Sequence, residues 1–147
     1  MKRTLTAVAA ISVALLASAC SNDSDENVFE PRSGTQQYES AQAIADDLKA
    51  AGLTCENLTI NETSRYASQA ATCQIKGEDI ILSVFNSDTD LADNISAFES
   101  MLKPVKMEYG LVSGSKWMIN CGDTTENENC MEIKAQLGGK LIKPTYF

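Results

Sequence analysis

Five cysteines and no histidine, with the first cysteine closing an apolar N-terminal run, constrain this chain more than any other feature. Met1-Lys2-Arg3 is basic, Leu5 to Leu16 is apolar, and Ala17-Ser18-Ala19 is small. That three-zone order marks an export signal over residues 1–19, and its apolar run falls short of the roughly 20 residues a spanning helix needs. An exported chain meets an oxidising compartment, where disulfides persist and a spare thiol is a liability.

The end of the signal, Leu16-Ala17-Ser18-Ala19-Cys20, resembles a bacterial lipobox, with Ala17 at the place where that pattern prefers leucine. The resemblance implies a diacylglyceryl thioether on Cys20, cleavage before it, and a mature chain held by lipid on the extracytoplasmic face of the cell membrane. Ala17-Ser18-Ala19 also suits ordinary signal peptidase, which would release a soluble protein, and an uncleaved anchor is a third reading. Parity favours the lipid, because acylating Cys20 leaves the even set Cys55, Cys73, Cys121 and Cys130.

Four cysteines pair in three ways. Cys55–Cys73 with Cys121–Cys130 is the favoured set, since each bridge closes a local loop. In the chain-entropy account each bridge contributes about 3 kcal/mol, and the longer loop about 0.5 kcal/mol more than the shorter. A metal site is the poorer reading, because these spacings do not match zinc-ligand pairs and no histidine supplements them.

Residues 20–37 read as the acylated cysteine and a flexible tether: Ser21 to Gln37 is polar and acidic, holds Pro31 and Gly34, and lacks apolar periodicity. As a coil it would hold the domain roughly 20–25 Å from the bilayer. The alternative is a loop packed on the domain through Val28 and Phe29. Residues 38–147, about 110 residues, suffice for one domain.

Within that domain, Tyr38, Ala41, Ile44, Ala45 and Leu48 lie at helical spacing, and Gly52 supplies a stop, so the spacing predicts a helix over 37–51. Leu91, Ile95, Phe98 and Leu102 mark a second over 88–102, opened by a capping-box-like Ser87 and Asp90 and closed by Pro104. A third is expected over 125–137, with Cys130, Ile133 and Leu137 on one face. Strand patterns at 70–75 and 79–85 flank Lys76-Gly77-Glu78, and those at 107–113 and 116–121 flank Gly114-Ser115, giving two hairpins. Residues 53–60 suit another short strand. The fold expected is α+β, an antiparallel sheet of two hairpins covered by about three helices and stapled by two disulfides. Hairpin-then-helix occurs twice, without residue-level repetition.

Charge and residue types exclude more functions than they suggest. Without Lys2 and Arg3, ten basic residues face twenty acidic ones, a formal charge of -10. Such a chain repels nucleic acid and anionic lipid headgroups. Lacking histidine, it has no Ser-His-Asp or Cys-His arrangement. Ser100-x-x-Lys103 and Ser113-x-x-Lys116 fit a Ser-Lys spacing, but one falls at a helix C-terminus and the other in a hairpin turn, whereas the catalytic motif opens a helix. Asp88, Asp90 and Asp93 lack the glycine and terminal glutamate of a calcium loop and suit a helix N-terminus instead. Glu126, Glu128 and Asp123 read likewise. Glycosylation sequons at Asn57, Asn61 and Asn94 suit no bacterial use. No catalytic residue, metal or cofactor is therefore expected. Trp117, the sole tryptophan, alternates with Ile119 on a strand face and is read as core in preference, because strands bury such faces; if exposed, it is the candidate partner contact.

The lipobox, the polar segment after it, Ala50-Ala51-Gly52-Leu53-Thr54-Cys55 at a helix end and Trp117-x-x-Asn120-Cys121 before a short helix together resemble small lipoproteins of high-GC Gram-positive bacteria and their prophages. That likeness implies an envelope lipoprotein; for some phage-encoded members it implies exclusion of competing phages. The expected function is a non-catalytic binding domain at the membrane surface, taking an envelope protein or a small ligand. A cell-wall enzyme or enzyme accessory is the rival from another class, which a cleft with clustered carboxylates would favour.

Overall fold

The first two helices each begin on a serine whose hydroxyl takes over a free N–H group of the first turn. The computed structural model describes residues 28–61, 64–122 and 128–147. The export segment, Cys20 and residues 125–127, expected to open the third helix, lie outside them. Helix α1 (Ala41–Ala50) is capped by Ser40, whose hydroxyl accepts from Ala43 N. It starts later than the expected Gln37. At its end Gly52 N donates to Lys49 O and Leu53 N to Leu48 O, a Schellman closure that needs the left-handed φ of +83° at Gly52. Helix α2 (Asp88–Leu102) opens on Ser87, which accepts from Asp90 N and donates to the Asp90 carboxylate. It runs into a 3-10 turn at Lys103–Val105. Helix α3 covers Glu128–Leu137.

The strands are β1 (Glu56–Asn61), β2 (Gln69–Ile75), β3 (Glu78–Val84), β4 (Leu111–Gly114), β5 (Trp117–Asn120) and β6 (Lys140–Ile142). They form one antiparallel sheet in the order β1-β2-β3-β5-β4-β6. Both expected hairpins are present. Lys76 and Gly77, both at positive φ, make the two-residue turn between β2 and β3. The second turn is Ser115-Lys116, one residue later than expected. Two strand readings change. The segment 107–110 is not strand, and β4 begins at Leu111. Strand β6 had no signal, being three residues long with no run of alternation.

Alternation divides the sheet into two unlike faces. On the first, Ala71, Cys73, Ile75, Ile80, Leu82, Val112, Trp117, Ile119 and Cys121 form one core with Ile44 and Leu48 of α1 and Ile133 and Leu137 of α3. On the second, Phe85, Leu111 and Met118 pack with Leu91 and Tyr109, and α2 lies over this half. The two disulfides are those favoured above. Cys55–Cys73 joins the chain before β1 to β2, and Cys121–Cys130 joins the end of β5 to α3, with Cα separations of 5.4 and 5.3 Å.

The tether boundary at Gln37 requires correction, because Phe29 to Gln37 lies against the domain. Phe29 packs on the first core. Arg32 N donates to Gln136 O (2.6 Å), the Arg32 guanidinium holds Asp47 of α1 through two hydrogen bonds, and Gln36 Nε2 donates to Leu137 O. Gly34 crosses Gly138-Gly139 so closely that a Cβ on Gly34 would strike the Gly139 backbone, which is why both strands of this crossing are glycine. Val28, by contrast, is 78% exposed.

Trp117 takes the favoured place in the core, and the partner-contact alternative is withdrawn. Its ring is fully buried between the sheet and this N-terminal strap, lies edge-on to Tyr38, and donates from Nε1 to Gln36 O at 3.0 Å. It is a core residue and offers no surface to a partner.

A candidate binding cleft beneath helix α2

Helix α2 covers the second face only in part. Leu91 is buried in its first turns, while Ile95, Phe98 and Leu102 are half-buried, and the β1–β3 side of that face has no helix over it. Where coverage ends, Ile81 of β3 remains 39% exposed on the sheet. A cleft of about 260 Å³ opens there, bounded by Ile81 on the sheet, Phe98 and Leu102 on α2, and Met107 and Tyr109 on the segment before β4. Asp79, Glu108, Asn120 and Gly122 complete its lining. Met101, Val105 and Met107 are exposed on the same stretch of chain, an unusual run of large apolar side chains left in water.

Tyr109 is wholly buried, with its ring edge-on to Phe98 at 5.1 Å. Its hydroxyl has no hydrogen-bond partner among the described residues. Burial raises its pKa, and the charge of Glu99 adds to the rise. The C-terminal tail closes that side: Thr145 donates to Glu99 from both its backbone N and its hydroxyl, and Tyr146 donates to Met107 O. On the opposite flank of α2 lies a second groove, of about 480 Å³, between Ala92, Ile95 and Ser96 and the strand β6.

The sequence-derived candidates are scattered rather than gathered. The four disulfide cysteines staple the first face and none lines the cleft, although Cys121 lies between its lining residues Asn120 and Gly122. No hydrogen bond joins Ser100 to Lys103 or Ser113 to Lys116; Ser113 is buried in β4, and the Lys116 backbone N instead donates to Asp88. Asp90 is engaged in the α2 cap. Among the described residues no group of three or more acids or cysteines could hold a metal, and no helix is long and apolar enough to cross a membrane.

Sequence reading missed every residue of the cleft. Phe98 and Leu102 belong to a helical apolar stripe identical in pattern to a core-facing one. Met107 and Tyr109 alternate as a strand would. Nothing local distinguishes a stripe that is fully covered from one left half open. Comparison with protein-family models, with curated proteins and with solved structures finds no match.

Proposed function

We propose that this chain is an envelope lipoprotein anchored through Cys20, and that its domain is a non-catalytic binding module working through the cleft beneath α2. The observation that carries the binding reading is the cleft itself: an apolar concavity with few, separated polar groups is the form that small-ligand sites take. The lipid reading draws support from parity, since all four other cysteines are consumed in disulfides. Because the domain's contacts begin at Phe29, only the eight residues Ser21 to Val28 separate Cys20 from it, a reach of at most about 30 Å however they are arranged. The domain therefore works close to the bilayer surface.

Two measurements test this. Mass spectrometry of membrane-extracted protein should find a diacylglyceryl group on Cys20, and Cys20→Ser should release the protein; an unmodified Cys20 at the N-terminus of a soluble protein refutes the anchor. Ile81→Arg, which fills the cleft with charge at an already exposed position, should abolish the biological phenotype in a protein that still melts cooperatively. Ser100→Ala and Ser113→Ala should leave it intact. Loss of phenotype from either serine change alone, with folding preserved, would replace binding with catalysis.

A further inference from the structure

The cleft's lining has a sign. Its walls are apolar and aromatic, through Ile81, Phe98, Leu102 and Tyr109, yet two carboxylates, Asp79 and Glu108, stand among them and, among the described residues, no lysine or arginine does. Neither acid belongs to an ion pair among the described residues; Asp79 accepts only a neutral hydrogen bond there, from Gln74 Nε2 at 3.1 Å. Without Lys2 and Arg3 the chain carries a formal charge of -10, which disfavours anions over the protein at long range. Aromatic rings likewise favour a cation near their faces.

We infer that the cleft binds a small apolar amine, its hydrocarbon body between Ile81, Phe98 and Leu102 and its ammonium toward Asp79 and Glu108. This deepens the binding-module reading and rests on it. A volume of about 260 Å³ suits a ligand on the order of ten non-hydrogen atoms, small enough to exclude a peptide helix or a two-chain lipid. Burial of the hydrocarbon supplies affinity; the carboxylates choose the headgroup.

The test uses the whole mature chain carrying Cys20→Ser, so that no detergent competes for the cleft, titrated calorimetrically with octylamine, octanol and octanoate. Octylamine should bind most tightly and octanoate least, with about tenfold between them. Asp79→Asn and Glu108→Gln should each weaken octylamine by about threefold and leave octanol unchanged, with unchanged melting curves. Ile81→Arg should remove binding of all three. Octanoate binding as tightly as octylamine, or octylamine indifferent to both carboxylate changes, overturns the amine inference while leaving the cleft a binding site. If none of the three binds, this inference fails, and the binding-module reading is still judged separately by the Ile81→Arg phenotype.

Discussion

The indole Nε1 of Trp117 donates to the backbone carbonyl of Gln36 at 3.0 Å, joining the fifth strand to a segment 81 residues earlier that carries no regular secondary structure. A buried N–H needs a partner, and here the partner is a strap of chain rather than another strand. The strap in turn depends on Gly34, whose φ is +86° and whose O accepts from Ser115 N in the second hairpin turn. Gly34→Ala sets a side chain against the Gly139 backbone and should lower stability by about 2 kcal/mol. Urea unfolding monitored by Trp117 emission checks this. A red-shifted native spectrum is expected as the strap lifts, and an unchanged midpoint would show that the strap contributes no stability.

The order of the two disulfides reverses once their surroundings are known. Loop length alone makes Cys55–Cys73 the costlier to lose. Cys121 and Cys130, however, are both fully buried in the first core, whereas Cys55 lies at its margin. Replacing the buried pair by alanine adds cavities to the entropic loss. The double change Cys121→Ala with Cys130→Ala should therefore destabilise more than Cys55→Ala with Cys73→Ala, by about 1 kcal/mol. Parallel melts of the two variants decide it, with non-reducing peptide mapping to verify the bridge that remains.

The strap's attachment to α1 titrates. Burial alone would raise the Asp47 pKa, but the hydrogen bonds from Arg32 and Tyr38 outweigh it and hold the carboxyl below its ordinary value. For Tyr38, burial first and then the hydrogen bond to Asp47 push the phenol well above its ordinary value. The carboxylate's contribution is thus present above the ordinary carboxyl range near pH 4 and is lost as pH falls through its lower folded value. The phenol acts at the other limb: above about pH 10 the unfolded tyrosine ionises while the folded one stays protonated, so stability falls. Tyr38→Phe should cost about 1–2 kcal/mol at neutral pH and shrink the alkaline component, leaving the share of Tyr109, whose pKa burial also raises. Asp47→Asn should flatten the acid limb. Denaturation midpoints across the pH range would refute this if Tyr38→Phe kept the wild-type alkaline slope.

Tyr109→Phe should be neutral or stabilising by up to about 1 kcal/mol. The hydroxyl is buried with no partner among the described residues, so its removal returns a desolvation cost and sacrifices no hydrogen bond. The ring keeps its edge-on contact with Phe98. A loss of more than about 1 kcal/mol in chemical denaturation would mean that the hydroxyl has a partner, such as bound water, which stabilises the fold.

Most of the regular structure was legible because its causes are local. Ser87 with Asp90 announces the start of α2, Gly52 the end of α1, and Lys76-Gly77-Glu78 a hairpin turn, each through interactions within a few residues, though Glu78 proves to open β3. The strap was not legible. Its polar composition is that of a tether, and what holds it, Gln136 O, Leu137 O and the Trp117 indole, lies about 80 to 100 residues away. Trp117 itself could be read as core, but what packs on it could not, because alternation says which face a side chain takes and not what covers it.

The chain's own residues, read in order, determine the even set of four cysteines after Cys20, the three helices and the two hairpins. Each follows from neighbouring side chains and from backbone preferences that act over a turn or two. Only the tertiary structure decides that β5 rather than β4 pairs with β3, that three residues after α3 add a sixth strand, and that α2 stops short of Ile81. These are choices among backbone edges and apolar faces of nearly equal local merit, settled by how the whole set packs together, and the cleft is what that packing leaves uncovered.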